Sequence, residues 1–221
     1  MDSMNRNHCI RCGECCLKSS PTLHGSDLEL VISGAINPRN LYTIRRGEMV
    51  FNNLEEEMQI SETEMIKVRE KDEGGCIYYD ESAKGCGIYE HRPSQCAALK
   101  CWDRSEFDKI YSGSKLKRKD IIDTPVVWGL IQEHEKRCGY QEIEKLVKRI
   151  ESDGEKAVEE ILVLLRFDFQ IRPFISKKLE IDQNLMDLYF GRAMIDTIRM
   201  FGLEVRQEHD GSFFLTVLNE A

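Results

Sequence analysis

Cys9-Ile10-Arg11-Cys12-Gly13-Glu14-Cys15-Cys16 sets four thiols within eight residues of a 221-residue chain. Two-residue gaps let one turn of backbone aim successive thiolates at a common centre, the construction of both zinc knuckles and iron–sulfur loops. Gly13, directly after the second cysteine, can take a positive φ and turn amide N–H groups toward the sulfurs. The adjacent pair Cys15-Cys16 is harder to place at one centre, because neighbouring side chains tend to diverge. One of the two is therefore available to a second site or remains a thiol. A second metal-compatible array follows at Cys76, Cys86, Cys96 and Cys101, and the ninth cysteine, Cys138, stands outside both.

Composition bounds the remaining possibilities. The formal charge of −8 repels polyanions, so neither nucleic acid nor an anionic membrane is an expected partner. The basic run Lys115-Leu116-Lys117-Arg118-Lys119 reads as a solvated stretch before a helix. Met1 to His8 is polar without an apolar core, and no stretch approaches membrane-spanning length, so the expected location is cytoplasmic. In that compartment nine cysteines point to metal or redox chemistry and away from a disulfide framework.

The pattern along the chain predicts an α+β fold, mainly helical. An irregular, cysteine-rich, metal-organised part with short strands spans residues 1–139, and a helical part ending in a β-hairpin spans 140–221. Ser26 is placed to cap a short helix through Ile32, closed by Gly34. Leu41–Arg45 and Met65–Arg69 read as strands, and the acidic stretch 52–62 as a solvated loop. Cys76 and Cys86 sit in cysteine–aromatic segments that form the arms of a hairpin. Thr124-Pro125 opens a helix that ends at Gly139 and carries His134 and Cys138 one turn apart on its apolar face. Further helices carry Ile143 to Ile150, Val158 to Leu165 and Met194 to Phe201. Asp210-Gly211 then marks a terminal hairpin.

The residues Cys9-x-x-Cys12-Gly13-x-Cys15-Cys16, Gly75-Cys76-Ile77 and Cys86-x-Ile88-Tyr89-x-x-Arg92-Pro93-x-x-Cys96 resemble the CxxCxxCC, or YkgJ-type, cysteine-cluster family of zinc- or iron-chelating domains. The resemblance covers roughly residues 8 to 103. It implies that Cys9, Cys12, Cys15, Cys16, Cys76, Cys86, Cys96 and Cys101 are the metal-site residues. It also links the domain to flagellin lysine N-methylases, which are larger proteins, so a protein-modifying methyltransferase stands as the alternative to a simple metal-binding protein. The C-terminal half shows no catalytic motif, Gly-rich nucleotide loop or His-Glu-x-x-His segment.

Three thiols at two-residue gaps exceed what one knuckle needs, which favours a [4Fe-4S] cluster over zinc. His134 and Cys138 are added as candidate ligands because they share a helical face, although the ordinary reading, a core histidine and a small buried thiol, is the favoured one. Arg92 is a candidate donor to cluster sulfurs or a bound anion, against an ion pair holding its loop. The expected function is a cytosolic metal-cluster protein with a structural or electron-carrying centre. A protein partner is compatible with this reading, and nothing in the residues names one.

Overall fold

The computed structural model describes residues 7–52, 55–208 and 211–218. The Met1–Arg6 part of the polar N-terminus, residues 53–54 of the acidic stretch and Asp210 of the hairpin signal lie outside them. The elements in chain order are α1 (Glu14–Lys18), α2 (Leu28–Ile32), β1 (Leu41–Ile44), β2 (Met49–Asn52), β3 (Glu57–Ile60), β4 (Met65–Val68), β5 (Tyr79–Asp80) and β6 (Gly85–Cys86). Then come α3 (Ser94–Ala98), α4 (Ser105–Tyr111), α5 (Arg118–Ile121), α6 (Pro125–Cys138), α7 (Tyr140–Lys148), α8 (Ile150–Asp153) and α9 (Glu155–Leu179). The chain closes with α10 (Met186–Phe190), α11 (Met194–Thr197), β7 (Leu203–Gln207) and β8 (Phe213–Val217). The fold is α+β and mainly helical, with strands in four two-stranded sheets, β1-β4, β2-β3, β5-β6 and β7-β8.

Two compact units divide the chain: residues 1–42 with 65–123, and residues 43–64 with 124–221. In the first, residues 21–23 run against β4, with Leu23 N–H donating to the Ile66 carbonyl and Val68 N–H to the Pro21 carbonyl. Leu23, Ile66, Val68 and Leu116 are buried there. Glu70 fastens this edge: it accepts from the Ser20 hydroxyl at 2.7 Å and the Tyr42 hydroxyl at 3.1 Å, and pairs with Lys67.

In the second unit, α6, α7, α9 and α11 bury Ile143, Ile161, Leu165, Met194 and Ile198 around Cys138. α6 begins at Pro125 and ends before Gly139, as its start and stop residues predict. The helix carrying Val158 to Leu165 is far longer than that apolar stripe, running on past Pro173 to Leu179. The sequence pattern hides this because Arg166, Asp168 and Arg172 interrupt the stripe.

Three local expectations change. The basic run 115–119 is not simply a solvated stretch before a helix, because Leu116 and Arg118 are buried and α5 begins at Arg118. A 3₁₀ turn over Gly25–Asp27 precedes α2, and Asp27, not Ser26, closes on the chain by accepting from His24 N–H at 2.8 Å. The acidic stretch is no loop: Met49–Asn52 pairs antiparallel with Glu57–Ile60. The alternation Glu57, Met58, Gln59, Ile60 is strand-like, and glutamates are tolerated on an open ribbon where their side chains stay in water.

Asp168 is the pivot of the second unit. Its carboxylate, wholly buried, accepts from His134 Nε2 at 2.7 Å, Arg172 Nη2 at 2.8 Å and Met194 N–H at 2.9 Å. Burial pushes its pKa up, but the His134 bond and the Arg172 charge together hold it well below the ordinary carboxylate range. Removing one member of such a buried set strands the others, at about 3–5 kcal/mol. Asp168→Ala should therefore lose about that much stability in urea denaturation at neutral pH. A depressed carboxylate stabilises fully above its unfolded pKa near 3.9, and the benefit disappears as pH falls through the lower folded value. The parent protein should accordingly lose stability below about pH 4 more steeply than Asp168→Asn.

Candidate metal centre

The first array is shaped by two residues with positive φ. Arg11 stands at φ 56° and its N–H reaches Cys9 Sγ at 3.4 Å. Gly13 follows at φ 81°, a conformation that glycine takes without strain, and its carbonyl accepts from Leu17 N–H at 2.8 Å as α1 begins. A Cβ on Gly13 would also overlap the hydroxyl end of Tyr79. The glycine therefore lets the first array close against the β5 segment.

The second array is brought to the first by Gly74-Gly75, at φ 90° and 78°. Gly75 passes so close that an added Cβ would lie 3.0 Å from the Cys16 carbonyl and 3.2 Å from Leu17 Cα. The next amide, that of Cys76, donates to the Cys16 carbonyl at 2.6 Å. Three residues on, Tyr79 pairs with Cys86 across the β5-β6 ribbon; the expected hairpin is there, but Cys76 lies outside it, bridged to Glu70. Cys96 is set by Asp27, a buried carboxylate that accepts from Ser94 N–H at 2.7 Å and its hydroxyl at 2.9 Å where α3 begins. Gln95 Oε1 adds a bond from Thr22 N–H at 2.6 Å.

Cys15 Sγ and Cys16 Sγ lie 3.9 Å apart, so the adjacent side chains do not diverge here. This contact holds Cys15 down to about 6 and pushes Cys16 up. Burial raises the pKa of Cys76. It raises that of Cys96 more, helped by the negative charge of Cys76, Cys15 and Cys86. Cys15, Cys16, Cys76, Cys86 and Cys96 thus share one electrostatic neighbourhood drawn from both arrays. Cys9, Cys12 and Cys101 are exposed, the last in the turn bridged by Lys100 and Asp103. Among the described residues no three cysteine, histidine or acidic side chains converge to coordination distance. The donor chemistry of an all-thiol set fits zinc or iron.

Residues 8–113 match the family model CxxCxxCC, described as "Putative zinc- or iron-chelating domain". This stretch is similar to that domain. No curated protein and no solved structure matches the chain.

Within the matched stretch the two arrays are also clasped by cations. The Arg11 guanidinium lies 4.0 Å and that of Arg92 4.1 Å from the centre of the Tyr89 ring. Cation–ring contacts of this kind contribute about 0.5–1 kcal/mol each when exposed. Arg92 Nη1 also donates to the Tyr89 carbonyl at 3.2 Å. The clasp was not foreseen, although an arginine inside the first array and a tyrosine before Arg92-Pro93 carry its signal.

His134 and Cys138 belong to the second unit. His134 gives Nε2 to Asp168, burial holds its pKa below the ordinary value, and its Nδ1 is buried without a hydrogen-bond partner. Cys138 is fully buried within the hydrophobic cluster, its thiol pushed up to about 12 by burial, and its carbonyl accepts from Arg45 Nη1 at 3.0 Å. No helix among the described residues is long and apolar enough to cross a membrane.

Gly13→Ala adds backbone strain of about 1–3 kcal/mol to the overlap with Tyr79. The variant should open residues 7–20 to proteolysis and bind less metal, while the second unit keeps its helical circular dichroism signal. Unchanged protease resistance would mean that Gly13 does not hold the arrays together.

Proposed function

We propose that the protein holds a thiolate metal centre drawn from both cysteine arrays, with a structural or electron-carrying role in a reducing, cytosolic setting. The supporting observation is the seam at Cys16 and Cys76, where a 2.6 Å backbone bond fixes one array against the other. Neither array buries enough apolar surface to fold alone, and metal affinity supplies the missing free energy. The bound group is a [4Fe-4S] cluster, on the strength of the three-thiol loop Cys9-x-x-Cys12-x-x-Cys15. The chain's own part is to present thiolates, to neutralise their charge with nearby cations, and to keep water from the buried side of Cys76.

One observation favours a second reading. Two thiolates on one tetrahedral zinc ion, each at about 2.3 Å, lie about 3.8 Å apart, close to the 3.9 Å between Cys15 and Cys16. Zinc would use both of these thiols, whereas a cluster would use one.

Protein purified without oxygen should be brown, release acid-labile sulfide and bleach with dithionite. Cys15→Ser should then abolish the colour while Cys16→Ser largely keeps it. Colourless protein with stoichiometric zinc, lost equally in both variants, would establish the zinc reading. His134 and Cys138 we assign to the second unit's core. Cys138→Ala should keep full metal content and lose only about 1 kcal/mol of stability.

A further inference from the structure

The β2-β3 hairpin leaves most of its apolar face open. Its register pairs Met49 with Ile60 and Phe51 with Met58, so these four apolar side chains share one face. The polar face carries the pairs Val50–Gln59 and Asn52–Glu57. A ribbon with one apolar face ordinarily covers that face and wets the other. Here Phe51, Met58 and Ile60 are 54%, 56% and 50% exposed, while Asn52 on the polar face is 6% exposed. Phenylalanine and methionine are also types enriched at the centres of protein interfaces, and methionine repacks readily around a partner.

The charged residues of the hairpin's own sequence have one sign, although Arg192 pairs with Glu48 just before β2. No lysine or arginine occurs between Arg46 and Lys67. Glu55, Glu56 and Glu57 at the turn, and Glu62 beyond β3, are all exposed. We propose that this face docks a segment of a partner protein in which apolar residues alternate with lysine or arginine. The apolar residues would cover Phe51 and Met58, and the cations would meet the glutamate rim. A second copy of the chain is the wrong occupant, because facing hairpins would set like charges together in a chain already at −8. An anionic membrane is repelled for the same reason.

The test uses the full, metal-loaded chain and a fluorescent peptide of alternating leucine and lysine, with a leucine–glutamate peptide as control. The leucine–lysine peptide should bind, more weakly as salt rises, and the control should not. Phe51→Ser with Met58→Ser should weaken binding by about tenfold, the scale of losing one interface anchor, with metal content and thermal melting unchanged. Replacing Glu55, Glu56 and Glu57 by glutamine should weaken binding and flatten its salt dependence. Absence of binding would overturn the proposal, as would equal binding of the two peptides or equal binding by the Phe51/Met58 variant. A parent dimer that the Phe51/Met58 variant dissociates would overturn it in favour of a second copy.

Discussion

The short bond from the Cys76 amide to the Cys16 carbonyl is the constraint on which the cysteine-rich unit turns. Sixty residues of chain separate its two ends, so closing it costs conformational entropy that one hydrogen bond of about 1 kcal/mol cannot offset. The surrounding residues are chosen to make it reachable. Gly75 removes the side chain that would strike Cys16, Gly13 removes the one that would strike Tyr79, and Tyr89 gathers Arg11 and Arg92. Around the seam burial, helped by the charge of neighbouring thiols, raises the pKa of Cys96, and contact with Cys15 raises that of Cys16, a cost that a cation bound among them reverses.

The second unit builds its core differently. Its interior holds ions in place of thiolates: Asp168 among His134 and Arg172, and Arg45, wholly buried, over the Tyr140 ring with Glu135 at 3.8 Å. Burial lowers the affinity of Arg45 for its proton, yet Tyr140, Glu135 and Asp168 keep it charged. Such sets stabilise little compared with apolar packing of equal volume. They penalise any rearrangement that leaves a member unpaired, which narrows the number of ways the helices can pack.

Legibility in the sequence followed the range of the forces involved. α6, the strands β1 and β4 and the terminal ribbon are visible because periodicity and start–stop residues are local signals. The two cysteine arrays are visible because their spacing is local too. Asp168 and Arg172 are invisible as a buried pair, since their partners lie on α6 and α11 and a charged residue within an apolar stripe reads as an interruption. The Cys15–Cys16 contact reverses a local expectation, since the two thiols lie 3.9 Å apart although adjacent helical side chains ordinarily diverge. The β2-β3 ribbon was missed because three consecutive glutamates outweighed a four-residue alternation.

The chain's route through its two units has a consequence for synthesis. The hairpin at residues 43–64 belongs with residues 124–221, and the stretch between them belongs to the other unit. A ribosome adding about 5–20 residues per second presents that hairpin several seconds before the helices it packs with exist. During that interval its apolar residues are bare and its open strand edges can pair with any neighbouring chain. The glutamates at its turn and beyond β3 are then a protection against such pairing, because one nascent hairpin repels the next.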